Sequence, residues 1–122
     1  MPNITVDFSA AMDADFDKAA FAEALHVSVV EIAAAKPEAC KTLFRRAGIT
    51  AYGYEDPVEQ RHAVVHVTIG LLAGRTDETK VKLTEAVLEL LREHVPGGEG
   101  VVLHASAEVR DLDPSYRKLE WE

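Results

Sequence analysis

The feature that most constrains the fold is a strand–helix–strand pattern that occurs twice along the chain. In the first half, residues 3–8 alternate polar and apolar side chains and predict a strand. Residues 16–35 then have the apolar spacing of an amphipathic helix, with Phe21 and Leu25 on its buried stripe. Residues 42–55, interrupted by two glycines, predict a second and irregular strand.

The second half repeats this order. Residues 63–72 are nearly continuous in apolar and β-branched side chains, a helix follows Thr76, and residues 101–109 alternate again. A β-α-β crossover is right-handed in nearly all proteins. The tandem β-α-β repeat therefore predicts an α/β (α+β) fold, with one four-stranded sheet and two helices on one face. At 122 residues, it predicts a single domain over residues 1–122.

Capping and turn residues mark where these elements are expected to begin. Ser9, followed by Asp13 and Asp15, has the chemistry of a helix start in the first half. Thr76 is the expected N-cap of the second helix, with acidic residues in its first turn. The pair Asp56-Pro57 predicts a turn before the third strand.

The face of the sheet away from the helices is expected to be too apolar to face water. One side of the third strand is expected to carry Val65, Val67 and Ile69, and the other side Val64, His66 and Thr68. Neither side is plainly polar. A monomer rarely exposes a large apolar face, which predicts a closed oligomer. The apolar end of the chain, residues 115–122, is expected to dock on a neighbouring subunit.

Composition excludes several classes of function. A formal net charge of −8 argues against a nucleic-acid surface, because phosphate binding depends on clustered Lys and Arg. No run of about 18 apolar residues is present, so no membrane-spanning helix is expected. A single cysteine, Cys40, and an acidic amino-terminal stretch predict a cytoplasmic protein without a signal peptide.

Pro2 is the residue whose position suggests catalysis. If Met1 is removed after synthesis, Pro2 supplies a secondary amine, and an α-amino group titrates near 7.7–8.0 before any perturbation. Burial and a neighbouring cation would lower its pKa further, which suits a base for proton transfer between carbon atoms. The alternative is that Pro2 only begins an edge strand, where a missing N–H costs little.

Three arginines are candidates for binding a carboxylate. Arg75 lies in the turn before the second helix, whose free N–H groups and positive dipole end favour an anion. The alternative is a surface arginine that pairs with the acidic residues following it. Arg45 and Arg46 are adjacent on the second strand, so their side chains point to opposite faces and at most one is expected at the same site.

Histidines and tyrosines are given structural roles. His62 and His66 share one strand face and His104 lies on another strand, but this spacing matches no zinc signature, so no metal site is expected. Tyr52 and Tyr54 would share a strand face and are expected to fill core.

The residues together resemble a known family. Pro2 at the start of the first strand, the repeated β-α-β pattern, and Val65-His66-Val67-Thr68-Ile69 leading into Ala73-Gly74-Arg75 resemble the tautomerase superfamily. Within it, the chain is most similar to the 5-carboxymethyl-2-hydroxymuconate Δ-isomerase family. The resemblance implies a homotrimer whose sheets face a common core. It also implies a cofactor-independent isomerase of aromatic compound catabolism, with Pro2 as the acid/base.

One motif departs from the family pattern and leaves the substrate open. The family has an arginine followed two residues later by arginine or histidine, where this chain has Phe44-Arg45-Arg46. The alignment favours Arg46, with Arg75, for binding the carboxylates of a small unsaturated (di)carboxylate. Two alternatives remain: another enzyme of the superfamily, such as a decarboxylase or hydratase, or a non-catalytic trimeric binding protein. Whether Met1 is removed discriminates the catalytic from the non-catalytic alternative.

Overall fold

The computed structural model describes residues 1–56, 59, 61–98 and 100–122. Its strands and helices, in chain order, are β1 (Asn3–Ser9), α1 (Lys18–Ala33), β2 (Lys41–Ala47), β3 (His62–Leu71), α2 (Asp77–His94) and β4 (Val102–Asp111). Two short 3₁₀ turns, Ala10–Asp15 and Pro37–Ala39, connect elements in the first half. The twice-repeated strand–helix–strand order is confirmed.

The four strands form one mixed sheet in the order β2-β1-β3-β4. Each β-α-β unit contributes a parallel pair, β1 with β2 and β3 with β4, and the two units join through the antiparallel pair β1 and β3. In that central pair Asn3 lies opposite Gly70, and Phe8 lies opposite Val65. The start of β1 and the end of β3 therefore lie at the same end of the sheet.

The core lies between the sheet and the two helices, which pack against each other. Alternate side chains of the central strands point toward the helices and are buried, as the period of two predicts. The helices supply residues at spacings of four, which form their buried stripes. The most completely buried side chains include Val6, Phe21, Leu25, Val29, Val67, Ile69, Leu83 and Val87.

The helix starts agree with the sequence in one half only. Thr76 is the N-cap of α2 and accepts a hydrogen bond from the Thr79 N–H at 3.1 Å, as predicted. In the first half the prediction is confirmed only in part. Ser9 stands at the N-cap of the 3₁₀ turn Ala10–Asp15 but makes no side-chain cap bond there, whereas Asp17 is the N-cap of α1 and accepts from the Ala20 N–H. Ser9 instead accepts a hydrogen bond from the Val64 N–H at 2.8 Å, which joins the ends of two strands.

The second strand is shorter than predicted. β2 lies at the edge of the sheet and, among the described residues, pairs with β1 alone, whose last residue, Ser9, is opposite Ala47. The β1–β2 ladder stops at that pair, and the strand ends there. Tyr52 and Tyr54 consequently lie outside any strand and are exposed, and the prediction that they fill core is wrong. Pro57 of the predicted turn lies outside the described residues.

The face of the sheet away from the helices, here called the open face, is mostly polar. Four side chains lie side by side across it in register, Arg45, Asp7, His66 and Ser106. Arg45 donates two hydrogen bonds to the Asp7 carboxylate, and His66 is hydrogen-bonded to Ser106. The prediction of an apolar face is therefore wrong. It rested on β3 alone, where Val64 is apolar, whereas the flanking strands place polar side chains beside it.

The carboxyl-terminal segment, residues 112–122, begins against the edge of the sheet where β1 starts. The Leu112 N–H donates to the Leu71 carbonyl at 2.7 Å. A Cβ at Gly70 would lie 2.8 Å from the Leu112 side chain, so glycine makes room for this contact. Leu119 and Trp121 are largely exposed in the single chain. Their docking on a neighbouring subunit stays a prediction.

Membrane insertion finds no support in the helices. Over the described residues, no helix combines the length and the apolar character that crossing a bilayer requires.

Candidate active site

Pro2 is buried and lies immediately before β1. Its carbonyl accepts a hydrogen bond from the Lys41 N–H at 3.3 Å, which extends the β1–β2 pairing by one step. On the other side, the pairing of β1 with β3 begins one residue later, where Asn3 lies opposite Gly70. Pro2 thus lies beside the start of β2, at the end of the sheet where β1 begins, and Met1 precedes it.

The Met1 amino group lies close to a lysine. It donates a hydrogen bond to the Ala39 carbonyl at 2.9 Å, and the Lys41 ammonium donates to the same oxygen at 3.2 Å. The two nitrogens are therefore no more than about 6 Å apart, within the range where like charges lower each other's pKa. Lys41 was not predicted as a site residue. Its closeness to the amino terminus comes from the pairing of β2 with β1, which the sequence alone does not give.

The environment lowers the pKa of the amino terminus. Burial is the largest cause, because it disfavours the charged form, and the charges of Lys41 and Lys118 act in the same direction. The Cys40 thiol acts in the opposite direction. Burial also raises the pKa of that thiol above its usual range, which makes it a poorer nucleophile. The direction at the amine is the one that a base for proton transfer requires.

Arg75 lies at the same edge of the sheet, but its side chain is already engaged. Its Nε and one terminal nitrogen donate to the Ala33 carbonyl at 3.2 and 3.0 Å, and its other terminal nitrogen donates to the Leu72 carbonyl at 3.2 Å. Ala33 is the last residue of α1, where carbonyls lack helical partners and a cation is favoured. Arg75 therefore binds backbone carbonyls and does not form the surface ion pair with Asp77 or Glu78 that was the alternative. Two N–H groups of the guanidinium remain for another acceptor.

Arg46 does not share the site with Pro2 within one chain. It lies opposite Phe8, at the far end of β1, about 20 Å from Pro2 at roughly 3.3 Å per residue. There it lies 3.4 Å from the Asp13 carboxylate. Arg45 points to the opposite face, as the strand alternation predicts, and is bonded to Asp7. Pro2 and Arg75 thus lie at one end of the sheet, and Arg46 lies at the opposite end.

The histidines of the open face bond to one another and to nearby polar groups. His62 and His104 are joined at 2.9 Å between Nδ1 and Nε2, and the Nε2 of His62 lies 2.7 Å from the Glu55 carboxylate. Tyr52 stacks on both rings. In the part of the chain that the structure describes, no group of three or more His, Cys, Asp or Glu side chains is placed to hold a metal.

The sheet order and the two helices on one face are those of the tautomerase fold, as the sequence predicted. A 5-carboxymethyl-2-hydroxymuconate isomerase from Deinococcus radiodurans superposes with a TM-score of 0.75 at 19% identity, over 98% of this chain and 90% of that one. A fused 4-OT, described as a wild-type symmetric trimer, matches with a TM-score of 0.72 at 20% identity, covering 97% and 91%.

A third similar structure has a different activity. FG41 malonate semialdehyde decarboxylase, inhibited by 3-bromopropiolate, matches with a TM-score of 0.69 at 22% identity and covers 98% of this chain and 90% of that one. No family model and no curated protein sequence matches the chain. At these identities the likeness shows the fold alone.

Proposed function

We propose that this protein is a cofactor-independent enzyme that moves a proton within a small unsaturated carboxylate or dicarboxylate, as a keto–enol or double-bond isomerase. The observation that supports this most is the amino terminus itself. The Met1 amino group is partly buried, shares the Ala39 carbonyl with Lys41, and lies at the end of a sheet that has the tautomerase fold. Isomerases and a decarboxylase are among the structures of this fold, which supports an enzymatic role.

In the proposed reaction, Met1 is removed and the Pro2 nitrogen is the base. The neutral amine takes a proton from the enol oxygen of the substrate, or from a carbon next to the carbonyl of a keto form, and the electrons of the broken O–H or C–H bond enter the conjugated system as a dienolate. The resulting ammonium then gives the proton to a different carbon, which restores the neutral amine. Burial and the charge of Lys41 lower the pKa of the Met1 amino group, and we expect them to act in the same direction on the Pro2 nitrogen once Met1 is removed. A lowered pKa favours this cycle near neutral pH, because the amine must be neutral when substrate binds.

Arg75 is proposed to bind a substrate carboxylate and to stabilise the negative charge of the dienolate. Its guanidinium is fixed by bonds to the Ala33 and Leu72 carbonyls, so it is already oriented and loses little freedom when an anion binds. Arg46 enters the proposal only from a second copy of the chain, because it is far from Pro2 in its own. A homotrimer, as in the fused 4-OT trimers, is therefore part of the proposal.

The test is isomerase activity on 2-hydroxymuconate-type or phenylenolpyruvate substrates. Pro2→Ala is expected to lose most of the activity, because it replaces a constrained secondary amine with a primary one. A form with an extra residue before Pro2 is expected to lose all of it, since the nitrogen becomes an amide without basicity. That form is a folded control, because the structure accommodates Met1 at this position. Full activity in both variants would refute the mechanism.

A decarboxylase is the second candidate, and the similarity to malonate semialdehyde decarboxylase favours it over other chemistries. The same amino-terminal amine and the same cations would serve a substrate that loses carbon dioxide. Measuring release of carbon dioxide from short 3-oxo acids separates the two reactions. A protein that folds and assembles but turns over neither substrate class would support the third alternative, a non-catalytic binding protein.

A further inference from the structure

We propose that Lys41, in addition to Arg75, binds a substrate carboxylate, and that it does so next to the amino-terminal proline. This inference rests on the proposed function and names a group that neither the sequence pattern nor the two arginines supply. Its basis is the shared acceptor, since the amino terminus and the Lys41 ammonium both donate to the Ala39 carbonyl, at 2.9 and 3.2 Å.

The arrangement favours an anion because it is short of negative charge. Two cationic nitrogens share one neutral carbonyl, and no carboxylate is bonded to Lys41 within the described part of the chain. A carboxylate placed between them would accept from both. Lys41 is also exposed, so a substrate can reach its ammonium without a rearrangement of the sheet.

The backbone fixes where the lysine begins. Its N–H donates to the Pro2 carbonyl, and β2 continues in parallel register from Lys41 opposite Asn3. The Cα of Lys41 therefore cannot move away from Pro2 without breaking the edge pairing. When Met1 is removed, the competing donor to Ala39 is lost and the lysine remains as the cation adjacent to the new amine. This geometry fits a small substrate whose carboxylate is only a few bonds from the reacting carbon.

A second cation, in the carboxyl-terminal segment, acts electrostatically on the amino terminus. Leu112 fastens that segment to the end of β3, and a turn closed by the Tyr116 N–H and the Asp113 carbonyl at 2.9 Å redirects it. The charge of Lys118 then acts on the amino terminus. Lys118 is exposed and adds to the positive field rather than forming a fixed contact.

The test uses an electrophile that labels an amine, in two forms that differ only in charge. The probes are 3-bromopropiolate and its uncharged methyl ester, and peptide mapping by mass spectrometry separates labelling at Pro2 from labelling at Cys40. Lys41→Ala is expected to slow labelling by the carboxylate probe about tenfold, the effect of about 1.4 kcal/mol. At a pH where the amine is fully neutral, labelling by the ester should be unchanged. Lys41→Arg should restore the rate, and Lys118→Ala should show a smaller loss.

The control is Lys82→Ala, which removes the same charge from an exposed position on α2. It is expected to label at the wild-type rate. If Lys41→Ala labels like the wild type with both probes, the role of Lys41 is refuted while the proposed function stands. If Pro2 of the wild type is not labelled at all, the proposed function fails, and this inference fails with it.

Discussion

Replacing Arg75 tests whether this residue supports the fold as well as the proposed site. Its three hydrogen bonds satisfy the carbonyls of Ala33, at the end of α1, and of Leu72, after β3. Hydrogen bonds from a charged donor contribute about 1.5–3 kcal/mol, and a cation at a helix carboxyl end adds about 0.3–1 kcal/mol. Because Arg75 is partly exposed, we use the lower part of both ranges. We expect Arg75→Ala to lower the free energy of unfolding by about 1.5–2 kcal/mol.

The assay is urea unfolding followed by far-ultraviolet circular dichroism at one fixed protomer concentration, because the stability of an oligomer depends on concentration. Arg75→Lys should recover about half of the loss, since a lysine reaches one carbonyl as a point charge and cannot span both. Arg92→Ala, at an exposed position on α2, should stay within about 0.5 kcal/mol of the wild type. If Arg75→Ala unfolds at the wild-type urea concentration and loses only activity, the structural role assigned to Arg75 is wrong.

Three further predictions concern the core, a helix cap and pH. Val67→Ala removes two methyl groups from a site with no exposed surface, and should destabilise by about 2–3 kcal/mol in the same urea assay; a loss under 1 kcal/mol would contradict the packing described here. Thr76→Ala removes the cap that accepts from the Thr79 N–H and should cost about 1 kcal/mol, seen as a lower melting temperature. The Arg45 guanidinium holds the pKa of Asp7 below its usual range, so its contribution is present above about pH 4 and is lost as pH falls through the lowered value. The free energy of unfolding of Asp7→Asn should therefore fall less steeply on acidification than that of the wild type. The difference should be under about 1 kcal/mol, because the pair is exposed. Parallel curves of stability against pH would show that the pair has no effect.

Local pattern was enough to predict the elements and their order. The alternation of Ile4, Val6 and Phe8 and the spacing of Phe21 and Leu25 depend only on which face each residue buries, and both were correct. The cap at Thr76 was also correct, because its bond partner lies three residues away in the same chain segment. Such features need no knowledge of what packs against them.

Features that depend on distant segments were not predicted. Ser9 has the chemistry of a helix cap, but β3 lies beside it and the Ser9 hydroxyl oxygen accepts a hydrogen bond from the Val64 N–H. The second strand ended early because β1, its partner strand in the described part of the chain, ends at Ser9. The polar character of the open face required knowing that Asp7, His66 and Ser106 lie side by side on three strands.

In the candidate site, too, local features were visible in the sequence and features set by distant segments were not. Position in the sequence singled out Pro2, and the turn before α2 singled out Arg75, which the sheet brings to the same edge. The distance of Arg46 from Pro2 follows from the parallel register of β1 and β2, which sequence alone does not give. Lys41 was missed for a related reason, because its closeness to the amino terminus arises from strand pairing and from the shared Ala39 carbonyl.

The most direct test of the central claim is the state of the amino terminus. Mass spectrometry of the protein from its native source determines whether Met1 is present, and nuclear magnetic resonance titration of labelled Pro2 gives the pKa of its amine. We predict that Met1 is absent and that the Pro2 amine titrates at a lower pH than in a short peptide with the same first residues. The reason is that burial, Lys41 and Lys118 lower the pKa of the Met1 amino group in the folded chain, and the neighbouring Pro2 nitrogen is expected to meet the same surroundings. A retained Met1, or an amine that titrates as it does in the peptide, would contradict the proposal that Pro2 is the catalytic base.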